Sequence, residues 1–320
     1  MNQGMFQRKV VVIGAGAVGS TFCFALAQSG LADEIVVVDN NEKLAQGQVL
    51  DLAHGQSFFP TVFIRTGDKT DYRDAKVIVI TAGKAQRPGE TRLELVNGNA
   101  LIVASVMKNI VEQKSDAVVV VVSNPVDLMT WVALKSSGWD KGRIIGSGTV
   151  LDSARLRYLL STFCDVDVHN VHGYVLGEHG DSEFIAWSMT NLAGIQIDTY
   201  CPMCGRCSDW GRERSLMQEN VRNSAYHIID YKGATYFAVS LALVMITGAI
   251  LRGQMSVLTV STMLQGEFGI NDVCLSVPSI ISTQGVQKII KSPLPDVEFE
   301  ALKQSADSLK SVIGNIMLPS

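Results

Sequence analysis

The sequence predicts an α/β protein whose first half is a doubly wound, mainly parallel sheet. Two observations lead to this prediction. Short, continuous apolar runs of strand length recur along the first half, as expected for strands that are buried on both faces. Segments with helical periodicity lie between the runs, and strands that alternate with helices form parallel sheets. The second half has a less regular pattern, which predicts a separate α+β domain.

The elements of the first half follow one another in a simple order. Strands are predicted at residues 9–13, 34–38, 77–81, 117–122 and 143–146. Helical periodicity is clear at residues 17–29 and 93–113. We take these elements together as a first domain that covers residues 7–148.

The second half, residues 149–320, forms the other predicted domain. Helices are predicted at residues 150–163, 212–231, 236–251 and 297–316. Strand-like segments lie at residues 171–176, 257–260, 273–275 and 279–282, the last three as an antiparallel set. No linker separates the halves, so the boundary rests on the change of pattern alone.

The composition excludes several classes of protein. With 320 residues, 47% hydrophobic and 18% charged, the chain can bury a sizeable core, which excludes a disordered protein. A net charge of -4 gives no electrostatic reason to expect nucleic acid or an anionic membrane as partner. No apolar run suits a membrane span, and the N-terminal residues lack a secretion signal. We therefore expect a cytoplasmic protein.

A glycine motif follows the first predicted strand. Gly14, Gly16 and Gly19 form a G-x-G-x-x-G pattern at the point where the strand passes into a helix. These glycines permit a tight turn, close approach of a pyrophosphate, and close packing of helix on strand. Asp39 ends the next strand, where its carboxylate can bind ribose hydroxyls and repel a 2′-phosphate. The motif predicts a Rossmann domain that binds NAD rather than NADP; the alternative is a structural turn.

Four polar segments are candidates for the chemistry. Residues 86–92 and 123–127 follow predicted strands, at the edge where open α/β sheets bind ligands, and residues 151–155 and 177–182 lie further along. The last segment contains His179, one of five histidines, between glycines in a short loop. Histidine exchanges protons near neutral pH, and a buried carboxylate raises its pKa and holds its tautomer. Asp152 is a candidate for that carboxylate, although spacing alone does not pair the two.

Taken in order, these segments resemble the L-lactate and malate dehydrogenase family from about residue 8 to about residue 313. Residues 232–235 and 257–261 resemble further stretches of that family. The resemblance implies an enzyme that passes a hydride between NAD and a small 2-hydroxy or 2-keto acid. It also implies a set of cofactor-binding residues, which are Gly14, Gly16, Val18, Gly19, Asp39, Thr81, Ala82, Gly83, Ser123 and Asn124.

The same resemblance implies catalytic roles. His179 would be the acid/base and would pair with Asp152. Arg155 would hold the substrate carboxylate through its guanidinium fork, and Arg92 would polarise the substrate carbonyl from a mobile loop. Asn124 would bond near the nicotinamide and the reacting oxygen, ahead of a cis peptide bond to proline. A non-catalytic NAD-binding protein of the same fold is the rival hypothesis, which the complete catalytic set disfavours.

Gln86 is the residue on which the choice of substrate depends. In this family, malate enzymes have arginine at that position and lactate enzymes commonly have glutamine. Burying the second carboxylate of oxaloacetate without a cation costs several kcal/mol, so Gln86 favours pyruvate and L-lactate. Thr235, which would line the substrate pocket, also agrees with the lactate pattern. Malate, through an inward shift of Arg87, and larger 2-hydroxy acids remain alternatives.

The resemblance also bears on regulation and assembly. Arg157 and His172 match positions at which some bacterial lactate dehydrogenases bind fructose 1,6-bisphosphate between subunits. Relatives that are not activated can have the same residues, so activation and its absence both stay open. A homotetramer is the family expectation.

Three closely spaced cysteines depart from the family pattern. Cys201, Cys204 and Cys207 form C-x2-C-x2-C in a region that is variable and polar in the family. Such spacing can begin a zinc or iron–sulfur site, but no fourth ligand follows closely in the sequence. We expect free thiols on a variable loop and no metal; a stoichiometric metal in purified protein would contradict this.

Overall fold

The computed structural model describes residues 7–84 and 92–318. Its strands are β1 (Lys9–Ile13), β2 (Glu34–Val38), β3 (Phe63–Thr66), β4 (Val77–Ile80), β5 (Val118–Val121), β6 (Ile144–Gly146), β7 (Val171–His172), β8 (Val175–Leu176), β9 (Phe184–Ile185), β10 (Asn191–Leu192), β11 (Ile195–Gln196), β12 (Ser256–Gln265), β13 (Asn271–Ser282) and β14 (Gly285–Ile289). Its α-helices are α1 (Ala17–Ser29), α2 (Glu42–His54), α3 (Arg92–Glu112), α4 (Val126–Ser137), α5 (Val150–Cys164), α6 (Ile197–Met203), α7 (Trp210–Lys232), α8 (Phe237–Arg252) and α9 (Asp296–Ile313). Within these described ranges, no helix is both long enough and apolar enough to cross a membrane.

One nine-stranded sheet forms the centre of the fold, in the order β14-β13-β12-β6-β5-β4-β1-β2-β3. The six strands from β6 to β3 are parallel, so the α/β fold expected from the sequence is confirmed. The chain changes direction between β1 and β4, and such a switch point opens a ligand crevice at the carboxyl ends of the strands. Strand β12 pairs antiparallel with β6, so the sheet continues into the second half. The division at residue 148 stays a prediction.

The continuous apolar runs are explained by burial on both faces of the sheet. Val11 and Ile13 of β1 belong to one apolar cluster with residues of α3 and α4, whereas Val10 and Val12 belong to another with residues of α1 and α8. Alternate residues of a strand point to opposite faces. Because helices cover both faces, Val10 to Ile13 of β1 are all apolar.

Three strand predictions in the second half are wrong in detail. Residues 273–275 and 279–282 belong to the single strand β13, which passes through Pro278. Proline has no N–H to donate, yet the Pro278 carbonyl accepts from the N–H of Ile290 at 2.8 Å. The Ile290 carbonyl accepts from Ser292 at 3.0 Å, so it does not depend on a donor at residue 278. The stretch 171–176 is in turn divided into β7 and β8, which belong to different sheets.

Candidate active site

The glycine turn is closely packed at Gly14 and Gly19 but open at Gly16. Gly14 has a φ of +114°, and a Cβ there would lie 2.6 Å from Thr81 Oγ1. A Cβ on Gly19 would lie 1.9 Å from the Gly14 carbonyl oxygen. A Cβ on Gly16, by contrast, would meet no atom of another described residue beyond its chain neighbours within 4 Å. The turn therefore packs tightly against β4 and leaves space above Gly16, where a phosphate group can approach the backbone.

A cleft of about 590 Å³ opens beside this turn, between the carboxyl ends of β1, β2 and β4 and one face of α3. The Asp39 carboxylate lines it and accepts from the N–H of Ala15 at 2.7 Å and of Asn41 at 2.8 Å. These bonds fix both carboxylate oxygens, each of which has a further lone pair for a ribose hydroxyl. Helix α1 begins after Gly16, which has no side chain to cap it, so first-turn N–H groups can bind an anion. Val18 lies in that first turn. The residues present fit a dinucleotide.

Hydroxyl groups connect the ends of neighbouring strands below this cleft. The Thr81 hydroxyl donates to the Gly14 carbonyl at 3.0 Å, and the Ser123 hydroxyl donates to the carbonyl of Ala82. Gly83 lines the same cleft. The predicted cofactor residues after β4 and β5 therefore fix each other's backbone positions.

Asn99 is a residue of this region that the sequence did not single out. It is buried in α3, accepts from the Lys84 N–H at 2.8 Å and donates to the Asn124 carbonyl at 2.8 Å. The Asn124–Pro125 peptide bond is cis, as the resemblance implies. Asn99 thus links the chain that leaves β4 to the predicted nicotinamide contact after β5. No sequence signal pointed to it, because an asparagine within a helix has many structural explanations.

His179, Asp152 and Arg155 lie together at the start of α5. His179 Nδ1 is 2.6 Å from one carboxylate oxygen of Asp152, and Arg155 Nη1 donates to the other, also at 2.6 Å. Asp152 is 1% exposed, whereas the His179 side chain is 26% exposed. The imidazole is therefore held from its buried side, and its other nitrogen is free to face a substrate. Arg155 has five N–H donors, so its bond to Asp152 leaves others for a carboxylate.

The charges in this group stabilise a protonated histidine. Burial alone would lower the pKa of His179, but the charge and hydrogen bond of Asp152 outweigh burial and raise it to about 9. Burial alone would raise the pKa of Asp152, but His179 and Arg155 hold it below its usual range. The group is therefore an imidazolium–carboxylate pair at neutral pH.

Asp127 is a second residue that the site analysis of the sequence missed. It is fully buried in the first turn of α4, where it accepts from the backbone N–H of His179 at 2.7 Å and from the Ser261 hydroxyl. Burial raises the pKa of this carboxyl to about 6, although both hydrogen bonds lower it. Asp127 therefore fixes the backbone of the His179 loop. It lies within the polar segment after β5, so a search for every carboxylate in the four segments would have included it.

Glu183 is a third missed residue, four positions after His179. It is 5% exposed, and ligand atoms of Asp152, His179 and Glu183 lie within 4.8 Å of one another. Burial, and next the charge of Asp152, raise the pKa of Glu183 to about 8. A second carboxyl group thus faces the histidine. Its place directly after the loop was the signal that could have found it.

The remaining predicted residues are placed less completely. Gln86 and Arg87 lie outside the described residues, as does the side chain of Arg92, whose backbone begins α3. Thr235 lies in the turn between α7 and α8, and its pocket role stays a prediction. Arg157 donates to the carbonyl of Gly173 at 3.2 Å, and Gly173 follows the exposed His172 directly. The structure therefore brings the two predicted phosphate residues to one place.

The comparisons with known proteins agree with this geometry. Residues 8–146 match the model of the lactate/malate dehydrogenase NAD-binding domain, and residues 149–317 match its α/β C-terminal domain. The chain is 58% identical to the L-lactate dehydrogenase of Treponema denticola, over 95% of this chain and 96% of that protein. It is 48% identical to L-lactate dehydrogenase 1 of Clostridium acetobutylicum, over 96% and 98% of the two chains.

Solved structures give the same result. A lactate dehydrogenase from a Medee basin deep-sea metagenome superposes with a TM-score of 0.94 at 39% identity, covering 97% of this chain and 99% of that one. The minor L-lactate dehydrogenase of Enterococcus mundtii gives a TM-score of 0.94 at 38% identity, over 98% and 99% of the chains.

Proposed function

The chain belongs to the lactate/malate dehydrogenase family, and on this premise we propose that it interconverts pyruvate and L-lactate with NAD(H). The observation on which the proposal depends is the hydrogen-bonded His179–Asp152 pair with Arg155 on the same carboxylate. A proton donor and a cation that binds carboxylates are what a 2-keto acid requires. The named relatives and solved neighbours support lactate over malate.

In the reducing direction, the nicotinamide supplies the hydride, and the residues of this chain supply position, charge and a proton. Arg155 receives the substrate carboxylate through donors that Asp152 does not use. His179 donates the proton of its outer nitrogen, Nε2, to the keto oxygen. Asp152 keeps the inner nitrogen, Nδ1, hydrogen-bonded throughout, which holds the ring in one orientation and stabilises the imidazolium before the transfer. Asp127 prevents the loop from moving away, because it binds the histidine backbone.

We further propose that Gln86 excludes the second carboxylate of oxaloacetate, and that Arg92, Asn124 and Thr235 complete the substrate site. The physical argument for Gln86 is the cost of burying an unpaired carboxylate beside a neutral amide. Arg92 would add a positive charge beside the substrate carbonyl, which favours the negative charge that develops on its oxygen.

Steady-state reduction of pyruvate and of oxaloacetate with NADH tests the proposal. We expect kcat/KM for pyruvate to exceed that for oxaloacetate by at least about tenfold, since one unpaired buried carboxylate costs more than 1.4 kcal/mol. Gln86→Arg should reverse the order, with Gln86→Asn as the control that keeps the position neutral. Faster turnover of oxaloacetate by the unmodified chain would contradict the proposal.

Regulation and assembly belong to the same proposal. A homotetramer in the cytoplasm is what the family leads us to expect. Arg157 and His172 would then bind the phosphates of fructose 1,6-bisphosphate, which the bond from Arg157 to Gly173 beside His172 supports. Light scattering measures the assembly. Pyruvate kinetics with and without the bisphosphate, in the unmodified chain and in His172→Gln, test the activation.

A further inference from the structure

The structure adds a fourth thiol to the three cysteines that are close in sequence. Cys164 is the last residue of α5, and Cys201 lies in the last turn of α6. Both are buried in one apolar cluster, against which Cys207 packs. The fourth thiol thus lies 37 residues before Cys201, which is why the sequence pattern alone seemed incomplete.

The loop after α6 brings the other two sulfurs to the same place. Cys204 Sγ donates to the Cys201 carbonyl at 3.2 Å, and Cys207 Sγ lies 3.9 Å from the same oxygen. Arg206, between them, pairs with Asp165 at 2.6 Å, and Asp165 directly follows Cys164. The loop is therefore attached to the end of α5. Cys204 and Cys207 are only partly buried, so an ion from solvent can reach the group.

Charge and ligand type at this place both suit a metal cation. The group lies where α5 and α6 both end, and helix C-termini have negative partial charge that stabilises cations. Four cysteines are a common ligand set of structural zinc.

We propose that Cys164, Cys201, Cys204 and Cys207 bind one Zn²⁺ as a structural site. Each thiol releases its proton as its sulfur–zinc bond forms, and no atom is oxidised or reduced. Among the described residues, no three of these sulfurs lie within 4.8 Å of one another. Zinc binding therefore requires that the side chains of Cys204 and Cys207 rotate from the Cys201 carbonyl toward the buried pair.

The position of the site predicts an effect on stability rather than on turnover. Cys164 lies 12 residues after Asp152 on the same helix, which is about 18 Å along its axis. An ion there connects the end of α5 to the loop that precedes α7. It stabilises the folded chain without touching the His179 group.

Zinc competition on the reduced, full-length protein tests the proposal. We expect about one Zn²⁺ per chain in the presence of a chromogenic chelator, and a melting temperature that rises with zinc. Cys204→Ser and Cys207→Ser should each weaken zinc binding by more than about tenfold and abolish the thermal shift. Both should retain pyruvate reduction. Cys23→Ala removes a buried cysteine outside the group and should bind zinc like the unmodified chain.

Other results overturn the proposal. Zinc that stays bound in the Cys204→Ser, Cys207→Ser double variant but is lost in Glu183→Gln would place the ion in the His179 group. No zinc binding by the reduced protein, or iron and sulfide in protein purified without oxygen, would also refute it. Because the readout is metal content and melting, these results do not depend on whether the chain prefers pyruvate or oxaloacetate.

Discussion

The glycine turn and the His179 group lie at the same edge of the sheet but are built from opposite kinds of parts. At the turn, backbone atoms approach so closely that a Cβ on Gly19 would lie 1.9 Å from the Gly14 carbonyl oxygen. In the His179 group, buried carboxylates from different helices bind one residue: Asp152 of α5 bonds the His179 ring, and Asp127 of α4 bonds the His179 backbone N–H. Close backbone packing therefore determines the geometry of the turn, whereas charge determines the properties of the His179 group.

This difference separates binding from chemistry. A pyrophosphate needs a close approach to N–H groups and a helix end, and glycines supply that approach without any titratable group. Proton transfer needs a pKa matched to its task, and burial beside fixed charges supplies that shift. Substitutions in the turn should therefore change cofactor affinity, whereas substitutions in the His179 group should change turnover or pH dependence.

His179→Asn should have the largest effect. Without a proton donor, kcat/KM for pyruvate reduction should fall by about 10²- to 10⁴-fold, while NADH affinity changes little. The matched control is His169→Asn, because His169 pairs with Asp167 at 2.7 Å but is exposed. Kinetics and NADH fluorescence titration measure both quantities. An equal loss of NADH affinity in His179→Asn would mean that the two regions are not separate.

Asp127→Asn should change stability as a function of pH. Burial raises the pKa of the Asp127 carboxyl to about 6, so its contribution to folding is present below about pH 4 and is lost as pH rises through 6. The unmodified chain should therefore lose about 2 kcal/mol relative to Asp127→Asn between about pH 4 and about pH 8. Asparagine still accepts from the His179 N–H and can donate to Ser261. Urea unfolding of both proteins at the two pH values measures the difference, and a constant difference would contradict the assignment.

The same contrast explains how much could be predicted from the sequence. The cofactor turn is local: Gly14, Gly16 and Gly19 lie within six consecutive residues at one strand–helix junction, and the motif fixes their geometry. The His179 group is not local. Asp152 is 27 residues from His179, and Asp127 is 52 residues away. Only the resemblance to a family could pair His179 with Asp152, and nothing in the spacing pointed to the bond from His179 to Asp127.

The other differences have the same origin. The sequence predicts two strands where the structure has the single strand β13, because it does not show that the carbonyl opposite Pro278 has another donor. The sequence does not place Cys164 with the three closely spaced cysteines, because its nearness to Cys201 arises only when α5 and α6 end side by side. Local patterns predicted most of the central strands and long helices, but not β3, α2 or α4. Partners that meet through the fold were predicted only where a family motif named them.

Gly16→Ala should sharpen the comparison from the side of the cofactor. Among the described residues, none beyond the chain neighbours of Gly16 lies within 4 Å of the added methyl group, so the melting temperature should not fall, but the methyl occupies the space for the pyrophosphate. NADH affinity should decrease by about tenfold or more, which is 1.4 kcal/mol. Gly47→Ala, in α2 and equally free of contacts, is the control and should leave NADH affinity unchanged. A destabilised Gly16→Ala with normal NADH affinity would show that Gly16 serves the fold rather than the cofactor.

Glu183→Gln should have the smallest effect and the most specific one. Burial lowers the pKa of His179, and the negative charges of Asp152 and then of Glu183 raise it. The Glu183 carboxyl ionises near pH 8, so its charge is present in the range where His179, with a pKa of about 9, begins to lose its proton. Glutamine removes that charge. The alkaline decrease in pyruvate reduction should therefore move to lower pH by a fraction of a unit, whereas rates below about pH 7 should match those of the unmodified chain.

Glu219→Gln makes the same charge change on the exposed face of α7 and should leave the pH profile of pyruvate reduction unchanged. A uniform loss of activity at every pH would instead mean that Glu183 supports the fold, because only a group that interacts with the His179 proton can move the alkaline limb alone.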